Sequence, residues 1–255
     1  MSALSVDVRL ALDLPSAGPE LLPGATALAA VLGYARGRRP LRYRSPNEGE
    51  GRWVQVPAFG YDRFDARPVC TGPLGDEDVL VAEGLHGRLD PDGWTAVRRA
   101  LDDAGLIADA LDARAAGRAF WELPEEELSV LGEPGTVGAA LRALGCLPRP
   151  RYAAAALHHR RPALVPLLTR ATWLQSVPHL REGDSSVAAV THRELQANAA
   201  AFAELERVVA ALLPTAPLTR LRLHDLLVWL SGTLRLPTAV ALGEDTDEWR
   251  RLTGS

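Results

Sequence analysis

Apolar residues recur at helical spacing through much of the second half of the chain. The clearest run is Leu195, Ala199, Phe202, Leu205, Val209 and Leu212, which share one face of a 3.6-residue repeat and end before Pro214. Thr191 followed by Glu194 has the form of a capping box and sets the predicted start of that helix. Leu221 to Leu236, behind Thr219, is apolar almost all round, the pattern of a helix in the middle of a core. Arg151 to Arg160 is alanine-rich and helical. Pro162 suits the first turn of a helix that runs through Val177 and is stopped by Pro178. Upstream, Asp76 with Glu77 and Asp78, and Asp90 before Pro91, are N-terminal signals for two helices. Leu106 to Ala116, the segment opened by Pro124 with Glu125 to Glu127, and Thr136 to Leu144 give three more.

Before residue 75 the pattern is broken by Pro15, Pro23, Pro40, Pro57, Gly60 and Pro68. Ala25 to Arg36 has helix-forming composition, and Arg52 to Val56 alternates like a strand that could pair with Leu41 to Arg44 as a small β-hairpin. The expected architecture is mainly α, a compact multi-helix domain. An irregular N-terminal cap, 1–75, packs on a helical body, 76–240, and a loose tail follows, 241–255. No repeat or low-complexity linker divides the chain.

Composition narrows the chemistry. The 255 residues are 47% hydrophobic, enough for a sizeable core. All 28 basic residues are arginines. Without lysine there is no Schiff base to a carbonyl substrate, no pyridoxal-phosphate attachment and no phosphate-loop lysine. A lone methionine, Met1, and a lone isoleucine, Ile107, beside abundant Ala, Leu, Arg, Gly and Pro point to high-GC codon drift, as in actinobacteria. The formal net charge of -4 argues against general coating of nucleic acid or anionic membrane. Cys70 and Cys146 stand too far apart in sequence for a metal knuckle and indicate no disulfide framework. With no charged-then-apolar leader and no run of eighteen apolar residues, the expectation is a cytoplasmic protein that no membrane holds.

Candidate chemistry gathers in two places. Arg149, Arg151, Arg160 and Arg161, with His158 and His159 and with Arg170 nearby, form the densest basic cluster, suited to phosphate, sulfate or carboxylate. His158 and His159 lie about 100° apart on a helix and cannot share a metal as an i, i+4 pair does, so neither a metal nor a cofactor is expected. His224 and Asp225 sit on the apolar Leu221 helix. There they are either a structural ion pair, with a partner such as Arg222, or an acid and base for catalysis. Asp62, in the Tyr61 to Asp65 loop, is the third candidate for proton transfer.

Leu157-His158-His159-Arg160-Arg161-Pro162-Ala163-Leu164-Val165-Pro166-Leu167 resembles the basic-Pro-x-Leu-x-Pro signature of the actinobacterial DUF6308-type family. Two other segments fit the family's layout: Tyr61 to Phe64 followed by Gly75 to Leu80, and Arg222-Leu223-His224-Asp225 through Trp229. The family brings no activity with it. Its central region is similar to the helix-hairpin-helix of DNA base-excision glycosylases, which implies a glycosylase-like helical fold with a glycine-rich turn that binds a DNA phosphate. Here the turn position is Leu147-Pro148-Arg149-Pro150-Arg151, where two prolines remove N–H donors, and Thr169 stands where the resemblance implies an aspartate. Glycosylase chemistry therefore loses its acting residue.

Three functions remain. One is a small-molecule enzyme, or enzyme subunit, of actinobacterial metabolism, specialised metabolism included, in which arginines grip an anionic substrate or leaving group and Asp225, His224 or Asp62 transfers a proton. The second is a degenerate helix-hairpin-helix protein that binds nucleic acid through the arginine cluster. The third is an interaction module for a protein partner or a second copy of the chain.

Overall fold

The computed structural model describes residues 10–44, 51–130, 134–167 and 169–254. Two short strands, β1 (Ala11–Leu12) and β2 (Leu22–Pro23), pair antiparallel and lead into α1 (Gly24–Arg36). An antiparallel ribbon of β3 (Arg38–Tyr43) and β4 (Arg52–Pro57) follows, the expected hairpin extended at the end away from its turn. The rest is helical: α2 (Asp76–His86), α3 (Pro91–Ala115), α4 (Val137–Gly145), α5 (Pro150–Arg160), α6 (Arg170–Ser176), α7 (Ala188–Ala197), α8 (Ala199–Leu212), α9 (Arg220–Gly232), α10 (Leu236–Glu244) and α11 (Asp247–Thr253). The mainly α expectation holds. No single helix among the described residues is long and apolar enough to cross a membrane.

Local signals set many boundaries. Asp90 accepts the Gly93 N–H at 2.6 Å at the start of α3, and Pro91 takes the first helical position. Thr136 caps α4, Thr169 caps α6 and Thr219 caps α9, each through its hydroxyl oxygen. Thr169, at the position where the resemblance implies an acid, is thus part of a helix start.

Packing overrides the sequence pattern elsewhere. The two helices expected at Asp90 and Leu106 are one, because Val97, Ala100, Leu101, Ala104, Ala108 and Leu111 continue a single buried stripe. Glu125–Leu128 makes only a 3-10 turn, and 161–167 is irregular where a helix from Pro162 was expected. The capping box at Thr191 does not form. Thr191 is buried inside α7, and Glu194 turns its carboxylate to Ser16 and His224. The break falls instead at Asn198, whose side chain accepts from the Asp13 N–H and donates to the Asp13 and Glu194 carbonyls, each at 2.8 Å.

Among the described residues of the N-terminal segment, α1 is not a cap on the outside. Every residue of α1 from Ala27 to Ala35 is buried, and the helix packs closely along α10, with α8 and α9 also against it. Of the segment 241–255, expected as a loose tail, the described residues complete α10 and form α11. Thr246 caps α11 by accepting from Trp249 N–H at 3.2 Å, with Asp247 and Glu248 in the first turn and Arg250 and Arg251 in the last.

Candidate functional site

The sequence His158-His159-Arg160-Arg161 closes α5, and each side chain has its own partner. His158 Nδ1 lies 2.6 Å from the Val165 carbonyl, and His159 Nε2 lies 3.0 Å from that of Arg67. A carbonyl only accepts, so each of these ring nitrogens carries the proton. Arg160 donates to the Asp78 carboxylate at 2.6 and 2.8 Å and to the carbonyls of Cys70, Gly72 and Pro73. Arg161 pairs with Asp112 at 2.6 Å. The end of α5 therefore clamps the strap formed by residues 66–73 against the helical body.

This dissolves the basic cluster as one anion site. Arg160 is buried against Asp78, and Arg161 is neutralised by Asp112. Arg149, in the left-handed region at φ +50°, is exposed 3.9 Å from Asp90, and Arg151 is exposed over the Tyr152 ring. The four arginines do not converge on one point.

The two histidines do converge with other groups. They line a cleft of about 380 Å³ between the strap, the end of α5 and the Thr215 to Thr219 loop, together with Phe64, Asp65, Arg67 and Arg222. Burial, reinforced by the charge of Arg222, pushes the His158 imidazole down to about 4, and burial pushes His159 below its usual range. At neutral pH both rings are uncharged. His158 keeps Nε2 as a lone-pair acceptor, and His159 Nδ1 is buried with no hydrogen-bond partner. The Arg67 guanidinium is exposed on the same cleft and, among the described residues, has no acidic partner.

Behind the cleft lies a buried ionic cluster. Arg222 donates to Asp65 through Nε at 2.7 Å and Nη2 at 3.0 Å, to Asp225 through Nη1 at 2.5 Å and to the Tyr34 hydroxyl at 3.0 Å. Tyr34 donates to Asp65 at 2.6 Å. Burial alone would raise the Asp65 carboxyl, but Arg222 and Tyr34 hold it below the usual carboxylate range. Burial wins at Asp225, which is pushed up to about 6 against the pull of Arg222, and its Oδ1 has no partner. One cation thus serves two carboxylates, and the cluster is neutral when Asp225 holds its proton.

His224 belongs to a second buried network. Its Nε2 lies 2.6 Å from Glu194 Oε2, which also accepts from the Ser16 hydroxyl at 2.6 Å. His224 and Asp225 are 2% and 4% exposed and border a void of only about 10 Å³, too small for a substrate. Asp62 is exposed in the 3-10 turn Tyr61–Arg63. The three residues expected to transfer protons are not brought to one site, and the Arg222 to Asp225 contact is the structural ion pair that the sequence pattern allowed. Asp65 and Tyr34 are the members that sequence reasoning left out. Asp65 stood in the polar loop already singled out, but nothing in the spacing brings it 157 positions along the chain to Arg222.

Among the described residues no group of three or more His, Cys, Asp or Glu side chains could hold a metal ion. Comparison with protein-family models, with curated proteins and with solved structures finds no match to this chain.

The depressed histidines make acid the weak side of this fold. A histidine whose folded value lies below its unfolded value contributes stability that is complete above about 6.5 and is lost as pH falls through the folded value. His86 and His158, both at about 4, place that loss between pH 6.5 and 4, with His159 and His192 shifted in the same direction. Asp225 opposes it, since a raised carboxyl favours the folded state as pH falls from 6 towards 4. Four groups outweigh one, so the melting temperature is expected to drop on going from pH 7 to pH 4.5, and His158→Gln is expected to shrink that drop. A flat profile across this window would refute the assignment.

Proposed function

We propose that the chain is a small-molecule enzyme, or the ligand-binding subunit of one, whose substrate is a small organic anion held in the cleft between the strap and α5. Arg67 supplies the counter-charge, and the neutral His158 Nε2 accepts a proton or hydrogen bond from the substrate or from an attacking water. The observation that carries this reading is the convergence, in one cleft, of a guanidinium without an acidic partner among the described residues and two imidazoles whose tautomers backbone carbonyls fix. Fixed neutral acceptors beside an exposed guanidinium suit a ligand that carries both an anionic group and an acidic proton. Asp65 and Arg222 act as positioning residues. They hold the rear wall, and the Arg222 charge adds to burial in keeping His158 uncharged.

The arginine cluster gives a nucleic-acid role through α4 and α5 less support, because Arg160 and Arg161 are already paired with acids. The helical pair α4 and α5, joined by the short turn at Leu147 to Arg149, is what supports a helix-hairpin-helix-like scaffold, here used to build a cleft. Two unpaired cysteines, Cys70 and Cys146, support a reducing, cytoplasmic setting.

Nuclear magnetic resonance of the histidine rings tests the site directly. Titration with inorganic phosphate and with malonate is expected to shift the His158 and His159 resonances, and Arg67→Gln is expected to weaken that binding at least about tenfold, the usual weight of a charge-assisted hydrogen bond. If neither anion moves either ring, the cleft is not an anion site.

A further inference from the structure

The β3–β4 ribbon stands apart from the rest of the molecule in charge and in packing. It carries Arg38, Arg39, Arg42 and Arg52, with Arg44 just past the end of β3, and the sequence from 38 to 57 sets only Glu48 and Glu50 against these five, in a chain whose net charge is -4. Among the described residues none of the five is in an ion pair. In the helical body, by contrast, six arginines, Arg98, Arg114, Arg160, Arg161, Arg193 and Arg220, pair with carboxylates, although others such as Arg99 and Arg151 have no such partner among the described residues.

The register assigns the ribbon two faces. Arg42 opposes Trp53, Pro40 opposes Gln55 and Arg38 opposes Pro57, and cross-strand partners share a face. Every residue on that face is exposed, Trp53 to 69%. The other face, with Arg39, Leu41 and Tyr43, includes the half-buried Val54 and Val56, and Arg52 lies over the Tyr43 ring. A lone two-stranded ribbon gains little from its own burial, and six exposed residues in β3 do not serve a core. Arginines along both strands also disfavour edge pairing with a second copy of the same ribbon, since like charges would meet.

We infer that this ribbon is a docking arm for duplex nucleic acid, gripped mainly through its phosphates. A two-stranded ribbon fits the width of the B-form major groove, and six residues of strand reach about 20 Å along it. Arg38 and Arg42 on the open face, with Arg39 and Arg44, supply the forked donors that phosphates take, and Gln55 and Trp53 lie between them on the surface that would meet the groove. The overall negative charge does not oppose this, because phosphate contacts are made at the range of a Debye length, about 8 to 10 Å, and the arm is locally cationic. The arm and the α5 cleft are separate surfaces with separate ligands.

The test is fluorescence anisotropy of the full chain with a labelled 24-base-pair duplex over a salt series. Binding is expected at low salt and should fall with a log–log slope of roughly 3 to 4, since each phosphate contact contributes about 0.9. The triple variant R38Q/R39Q/R42Q is expected to lose at least about tenfold in affinity and to lower the slope by about 2 to 3, while its melting temperature stays unchanged and R99Q, at an exposed arginine of α3, binds as the parent does. Three results would overturn the inference: no duplex binding at 50 mM salt, a triple variant that binds as tightly as the parent, or tighter binding to a polyglutamate peptide than to the duplex.

Discussion

Arg222→Met is expected to be the most damaging single substitution in this chain. The guanidinium is the shared partner of Asp65, Asp225 and the Tyr34 hydroxyl, with its side chain only 5% exposed. Removing it leaves two carboxylates in a low-dielectric interior without a cation, and breaking a buried pair in this way costs about 3 to 5 kcal/mol. That is a large part of the 5 to 15 kcal/mol typical of a domain. The loss should have a pH signature. With Arg222 gone, burial acts on Asp65 against little more than the Tyr34 hydrogen bond and its carboxyl rises, so the variant should be least unstable in mild acid and should lose further stability as pH rises through the new value. Adding Asp65→Asn should recover part of the loss above that pH. Urea denaturation of the two single variants and the double variant at pH 5 and pH 8 forms the cycle that checks this. Equal destabilisation at both pH values would mean that Arg222 acts through packing alone.

The second large effect is expected where α1 meets α10. A Cβ built on Gly33 would lie 1.8 Å from the Ala239 carbonyl oxygen, and one on Gly243 would lie 1.7 Å from that of Ala29. Both obstacles are backbone, which no rotamer change relieves. Gly33→Ala or Gly243→Ala must therefore push the helices apart, along a contact that buries α1 from Ala27 to Ala35. Overpacking of this kind costs about 1 to 3 kcal/mol and more where backbone must move. At about 2 to 4 °C per kcal/mol for a chain of this size, each variant should melt roughly 5 to 10 °C lower. Hydrogen exchange should rise first in α10 and α11, which have few other neighbours in the fold. Unchanged melting would mean that the two helices slide apart without losing contact.

Both predictions rest on contacts of very long sequence separation, which is where reading the chain alone stops. The signals that a sequence carries are those that act within a few residues. Asp90 with Pro91, Thr136 and Thr219 mark helix starts because a cap bonds an N–H three positions on, and those starts are where the pattern places them. The alternation at Arg52 to Val56 is likewise local, and the hairpin forms. Thr191 shows the limit. Its motif is correct for a cap, but Glu194 gains more from Ser16 and His224 than from a nearby N–H, and the helix begins earlier. The helix α11 was legible from Thr246, Asp247 and Glu248, yet its closeness to the end of the chain favoured reading a tail.

The sequence by itself determined the mainly helical class, the hairpin, most helix starts and the chemistry that lysine-free composition removes. All of these follow from short-range backbone sterics, capping and side-chain inventory. It also drew attention to His158, His159 and Arg160 to Arg161, but as a cluster of like function. Only the tertiary structure decided that Arg160 belongs to Asp78, Arg161 to Asp112 and Arg222 to Asp65, and that the two histidines face a cleft with Arg67. The physical reason is that a buried charge is satisfied by whichever counter-charge the packed helices bring near it, and local pattern carries no record of that choice.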